Sequence, residues 1–180
     1  MYQIKKIIYI IILTTPSLSL FAQESEYEVK AHFLGRFAFF VDWPQASSVK
    51  DSAKPFVIGV FGKEPFNGLL DEIYKNEKIK GKDVYIPHIN HLKEIDKCDM
   101  LFISTIKDDE LEKILEITAD KPVLTLADTP GYAEAGVLIN LYKEQNKIRF
   151  EINYNAVKKT GLTFNYKLLE LARIIDKESK

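Results

Sequence analysis

Cysteine is nearly absent from this chain: Cys98 is the only one in 180 residues, which excludes a disulfide within the molecule. Charge of one sign is also lacking, since 25 lysines and arginines face 26 aspartates and glutamates for a formal net charge of −1. That balance excludes the electrostatic footprint of a nucleic-acid binder. It gives little long-range steering, so any partner must be recognised by shape and apolar contact more than by bulk charge. Missing too are the constellations of an enzyme: no nucleophile stands with its base, no ligand cluster closes, and no phosphate cradle occurs at usable spacing. Gly59-Val60-Phe61-Gly62-Lys63, followed by Gly68, fits neither the Walker spacing nor the dinucleotide fingerprint, and Gly62 reads as the tight turn after a strand. His88 and His91, with Asp96 and Cys98 behind them, sit in a Pro/Asn-containing loop and lack a closing ligand. No metal or other cofactor is expected, and Cys98 at the mouth of an apolar run reads as a small core residue.

A short apolar run is present where export would need one. Lys5 and Lys6 precede Ile7 to Leu13, which is too brief to cross a bilayer. Pro16 and alternating serines and leucines lead to Leu20-Phe21-Ala22-Gln23, with polar Glu24, Ser25 and Glu26 immediately after. This succession predicts a signal peptide over residues 1–22, cleaved after Ala22, and a periplasmic destination. Residues 23–180 then form a single domain of 158 residues, long enough to bury about two thirds of its unfolded surface. Losing the leader's two lysines leaves 23 basic against 26 acidic groups.

From Tyr27 to Val41, apolar residues recur at helical spacing through Val29, Phe33, Phe37 and Phe40, and Asp42-Trp43-Pro44 stops the helix. Residues 45–54 are a polar loop. Phe56 to Phe61 reads as a strand, and Pro65 opens a helix through Leu69, Leu70 and Ile73. Val84 to Ile86, Met100 to Ser104 and Pro122 to Leu126 read as further strands, and Asp108 and Asp109 cap a helix carrying Leu111, Ile114 and Leu115. Strands apolar on both faces, alternating with helices, predict an α/β fold whose central, mostly parallel or mixed sheet is covered on both sides. The last third differs. Val137 to Tyr142 and Lys147 to Ile152 form a C-terminal β-hairpin joined by residues 143–146. A short helix from Asn153 to Lys159 follows, and then a final helix carrying Leu168, Leu169, Leu171, Ala172 and Ile175.

Two places invite chemistry. Asp128-Thr129-Pro130-Gly131 is a turn sequence in which the Asp128 carboxylate can accept an amide two residues on. In Arg149-Phe150-Glu151-Ile152-Asn153, alternation puts Phe150 and Ile152 toward the core and Arg149, Glu151 and Asn153 on the other face. Alternation alone makes that a solvated sheet face with an N-cap at Asn153. On that basis Glu151→Lys should change stability by only about 0.5 kcal/mol.

Several segments together resemble the YfiR-like periplasmic family: Val29-Lys30-Ala31-His32-Phe33-Leu34 through Phe40-Val41-Asp42-Trp43-Pro44; Ile58 to Phe66; Cys98 to Ser104; Pro122 to Thr125 with Gly131-Tyr132-Ala133-Glu134; Arg149 to Asn153; Thr160-Gly161-Leu162; and Leu168 to Ala172. The resemblance implies a three-layer fold, no catalytic residues, and a periplasmic inhibitor of a membrane-bound diguanylate cyclase in cyclic-di-GMP signalling. The partner would be the periplasmic domain of an inner-membrane signalling protein, with relief by an outer-membrane-associated sequestering protein and room for a homodimer. It makes Arg149, Glu151 and Asn153 a candidate partner surface, with Ile139 and Val157 as its apolar part. A rival expectation from another class is a small-ligand receptor, its pocket lined by Tyr132, Tyr154, Phe164, Asn165 and Tyr166. The chain departs from its relatives in lacking paired cysteines and in carrying Gly35-Arg36 where Tyr-Asn is commoner.

Overall fold

The computed structural model describes residues 17–175, with side chains from Glu26 onward. In chain order the elements are α1 (Ser17–Phe40), β1 (Val41–Asp42), β2 (Phe56–Phe61), α2 (Leu69–Tyr74), β3 (Val84–Tyr85), β4 (His88–Ile89), β5 (Met100–Ile103), α3 (Asp108–Thr118), β6 (Leu124–Ala127), α4 (Tyr132–Ala135), β7 (Ile139–Glu144), β8 (Lys147–Asn153), α5 (Tyr154–Val157), β9 (Thr163–Phe164), α6 (Tyr166–Leu171) and β10 (Arg173–Ile175). Most of the expected leader, residues 1–16, lies outside the described residues, and the backbone is helical from Ser17.

The main sheet runs β10-β8-β7-β6-β5-β2-β3, with β4 also on β2. All its pairings are parallel except the β7–β8 hairpin. A separate antiparallel pair joins β1 to β9. Side-chain alternation along β2, β5 and β6 divides the interior into two layers. Phe56, Ile58, Met100, Phe102, Leu124 and Leu126 face α1, α2 and α6 in one cluster. Phe61, Leu101, Ile103 and Ala127 face α3 and α4 in the other. Burial of each large apolar side chain contributes roughly 1.5–3 kcal/mol, which is why β2 and β5 carry no polar side chain. Thr125, the one polar residue of β6, is buried with its hydroxyl accepting from the Leu138 amide at 3.0 Å. Helices lie on both faces of a mostly parallel sheet, as the alternating pattern required.

Several boundaries differ from expectation for identifiable reasons. The hairpin turn is only Gln145-Asn146, both left-handed (φ +48° and +60°), so the strands run on through Glu144 and from Lys147 in the two-residue form that matches strand twist. Lys107 occupies the N-cap of α3, leaving Asp108 and Asp109 in its first turn, where they complement the helix dipole. His88 belongs to β4, paired on β2, while His91 precedes a 3₁₀ turn over Leu92–Lys97. The final helix ends at Leu171, and Arg173–Ile175 become β10, added in parallel to β8.

Three polar devices fix the layers. Within α1 the Tyr74 hydroxyl accepts from the Gly35 amide at 2.8 Å and donates to the Ala31 carbonyl at 2.9 Å. It therefore bridges what would be one i→i−4 bond of the helix ladder. Gly35 is what admits it, since a Cβ there would stand 2.9 Å from that hydroxyl. Asp99, buried at the start of β5, accepts from Ser48 Oγ and from the Val57 amide, tying the 45–54 loop to the sheet. Lys82, also buried, sends Nζ to the carbonyls of Ser48, Val49 and Asp51 at 2.8, 3.2 and 2.7 Å. Cys98 is buried as expected; burial, with Asp99 adjacent, pushes its thiol up to about 12, so it is no nucleophile at neutral pH.

Candidate functional site

The strand 149–153 keeps its expected alternation but not its expected exposure. Phe150 and Ile152 pack into the α1 layer. On the opposite face Glu151 is only 2% exposed and Asn153 6%. Two elements cover that face. Asn153 caps α5 by accepting the Ala156 amide at 2.9 Å, while its Nδ2 donates to the Ala133 carbonyl of α4 at 2.8 Å. Glu151 Oε1 accepts from Asn140 Nδ2 at 3.0 Å, and Oε2 accepts from Arg173 through Nε at 3.0 Å and through Nη2. The register sets Arg173 of β10 directly beside Glu151. Its guanidinium lies 4.3 Å from the centroid of the Tyr142 ring and roofs the carboxylate. The hydrogen bonds that Arg173 donates to Glu151 raise its pKa further, so the charge is permanent.

The expected partner surface is thereby corrected. Glu151 and Asn153 are interior, and Ile139 and Val157 lie in the α1 layer beneath the sheet, fully or almost fully buried. Arg149 alone of the five is exposed, near Glu144 at 3.7 Å. What this face offers to solvent is Arg149, part of Tyr142, and the outer side of Arg173, which is 53% exposed.

Nor do the five residues of the expected ligand pocket converge. Tyr132 is buried in the α3 layer, its hydroxyl accepting the Ile106 amide at 3.0 Å and donating to the Ile106 carbonyl at 3.2 Å. Phe164 is buried in the α1 layer, across the sheet, where β9 pairs with β1. Asn165 caps α6 through the Lys167 amide at 3.0 Å, Tyr166 projects into solvent, and Tyr154 stacks under Lys158 at 4.9 Å. Nearness in sequence does not decide which face of the sheet an aromatic residue takes.

Asp128 is no simple turn residue. Its Oδ2 accepts from Tyr27 Oη at 2.9 Å and from Lys30 Nζ at 2.7 Å, and Lys30 also meets Glu26 at 2.7 Å. Glu26 in turn pairs with Lys143 at 3.1 Å. Burial would raise the Glu26 carboxyl, but hydrogen bonds from Lys30 and Lys143 outweigh it and hold it below the usual range. Burial first, and the Asp128 charge second, push the Tyr27 phenol well above its ordinary value. The network anchors the middle of α1 to the C-terminal end of β6. Sequence patterns miss it because its partners lie 98 and 101 residues apart. Among the described residues no group of three or more His, Cys, Asp or Glu side chains is placed to hold a metal ion.

Comparison with known proteins places this architecture. No curated protein matches the chain. Among solved structures, an ABC domain in complex with L-Trp from Streptococcus pneumonia shares 13% identity and a TM-score of 0.48 over 67% of this chain and 55% of that one. MppP soaked with the product 2-ketoarginine shares 12% identity and a TM-score of 0.31 over 67% and 45%. The chain spans about half the length of these two structures, and both likenesses are too distant to bear on function. The profile of the family described as YfiR/HmsC-like, however, matches residues 27–173, from Tyr27 on the Asp128 carboxylate to Arg173 on Glu151. The chain belongs to the YfiR/HmsC-like family.

Proposed function

We propose that this protein is an exported, non-catalytic regulator that restrains a membrane-anchored signalling protein, a diguanylate cyclase, by contact with its periplasmic domain, and that an outer-membrane-associated protein relieves it. Family membership across residues 27–173 is the observation that carries this reading. The lysine, apolar and small-residue succession of residues 1–22 supports export. The contact face is the outer side of the hairpin: Arg149, Tyr142 and Arg173. Arginine and tyrosine are enriched where interfaces concentrate their energy, and Glu151 fixes the Arg173 fork from beneath so that less side-chain freedom is lost on binding.

The test compares cyclic-di-GMP in cells lacking the protein, cells with it restored, and cells carrying Arg149→Glu. Loss should raise cyclic-di-GMP several-fold and restoration should reverse the rise. Arg149→Glu, folded as judged by its thermal unfolding, should fail to restore it. An unchanged cyclic-di-GMP level on deletion refutes the regulatory reading; full restoration by Arg149→Glu refutes the face.

A further inference from the structure

The sheet changes winding direction between β2 and β5. From β2 the chain adds β3 and β4 on one side; β5, β6 and β7 then build outward from the other. Loops leaving the C-terminal ends of β2 and β5 must therefore diverge, and open α/β sheets carry ligand crevices at that point. Here the divergence leaves a cavity of about 230 Å³ among Tyr27, Lys63, Asn67, Ser104, Thr105 and Asp128. It is smaller than the pockets that take drug-sized molecules. Its floor is held firmly. Gly62, at φ +88°, lets the β2 loop close on β5, since a Cβ would stand 2.9 Å from Ile106 and 3.3 Å from Ser104. The Ser104 amide donates to the Phe61 carbonyl at 3.0 Å, and its hydroxyl donates to the Lys63 carbonyl.

The chemistry of the wall singles out one class of ligand. The Asp128 side chain is 9% exposed. Both hydrogen bonds that it accepts from described side chains fall on Oδ2, and none falls on Oδ1 among the described residues. Asp128 lines the crevice, where Oδ1 faces no described donor and can take one from a ligand. A cationic donor is excluded by what already sits on the other oxygen. An ammonium or metal ion on Oδ1 would stand beside the Lys30 ammonium, like charge against like charge. Nor is a second cation needed, because Glu26 and Asp128 are balanced by Lys30 and Lys143, and the other carboxylate of the wall, Glu64, is matched in charge by Lys63 beside it. A hydroxyl donates to the same oxygen without that repulsion. Ser104 Oγ, whose proton is committed to Lys63, remains an acceptor, and Thr105 and Asn67 add polar groups at the mouth. We propose that this crevice binds a small, uncharged, polyhydroxylated ligand of monosaccharide size, with one hydroxyl donating to Asp128 Oδ1. The site is independent of the hairpin face and of the regulatory reading above.

Calorimetric titration of the full chain with D-glucose, D-galactose and D-ribose, and with glycine and putrescine as charged probes, tests the assignment. At least one sugar should bind saturably in the millimolar range, and the two amines should not. Thr105→Trp, which fills the mouth from an exposed position, should abolish the heat while leaving the thermal unfolding unchanged. Asn67→Gly suits the left-handed backbone there (φ +51°); it should weaken binding several-fold by removing one amide. The proposal is overturned if none of the three sugars binds, if the amines bind instead, or if folded Thr105→Trp and Asn67→Gly both keep full affinity. None of these results bears on cyclic-di-GMP control.

Discussion

Glu151→Lys is the most informative single change, because strand alternation and the folded structure disagree about its cost. On an exposed strand face the reversal would alter stability by about 0.5 kcal/mol. In the folded protein the carboxylate is 3% exposed, accepts from Asn140 at 3.0 Å, and holds Arg173. Lysine there would stand against a guanidinium of like charge, and the one acceptor at hand would be the buried Asn140 Oδ1, which has no partner among the described residues. Breaking a buried pair by removing one member costs about 3–5 kcal/mol. Arg173 is half exposed and can swing into water, so the greater part of that cost comes from burying the new ammonium. Out of a total stability of about 5–15 kcal/mol, such a loss is a large fraction. It should lower the melting temperature by roughly 2–4 °C per kcal/mol. Glu151→Gln keeps the shape and one acceptor, and should cost less, about 1–3 kcal/mol. Urea unfolding followed by circular dichroism reads both values. A Glu151→Lys protein within 0.5 kcal/mol of the parent would mean that water reaches the carboxylate, and the latch from β10 would be wrong. It follows that loss of regulation in Glu151→Lys would report unfolding, whereas Arg149→Glu reports contact.

Alkaline pH should weaken the fold. Burial pushes the Cys98 thiol and the Tyr74 phenol each up to about 12, so in the unfolded chain both ionise first, near pH 8.5 and 10. The stability they confer is whole below those values and is lost as pH rises toward 12; a urea midpoint unchanged between pH 8 and pH 11 would contradict it. Gly35→Ala should destabilise by about 1–3 kcal/mol through overpacking against Tyr74, partly offset by about 1 kcal/mol of helix propensity. In a Tyr74→Phe background that penalty should shrink, and a double-mutant cycle with no coupling would refute the inserted hydroxyl. Protein recovered after export should begin at Gln23, as N-terminal sequencing would read; a chain starting at Met1 would exclude cleavage.

The central parallel strands β2 and β5 were legible because they are buried on both faces and carry no polar side chain: Phe56–Phe61 and Met100–Ile103 announce themselves. Periodicity also assigned Phe150 and Ile152 to the correct side of β8. It could not tell what covers the other side. The cover for Glu151 comes from Arg173, in a stretch whose Leu168, Leu169, Leu171, Ala172 and Ile175 satisfy a helical period. Two adjacent isoleucines at 174 and 175 suit a strand better, and pairing with β8 decides the matter. Asp128 shows the same limit. Its turn chemistry is local and visible, while its ion pair depends on a helix almost a hundred residues earlier. The C-terminal crevice leaves no trace in sequence, since it arises from the order in which strands are laid down.

The Lys82 ammonium gives the 45–54 loop an unusual character. Three carbonyls converge on it as they would on a bound calcium or sodium ion, yet this cation is covalently attached and has no dissociation constant. Chelators and changes of ionic medium therefore have nothing to remove, and the loop should stay ordered across conditions that would strip a true metal loop. Its vulnerability is chemical: acylating or carbamylating that one amine abolishes the charge and two of its three donors, and would release the loop.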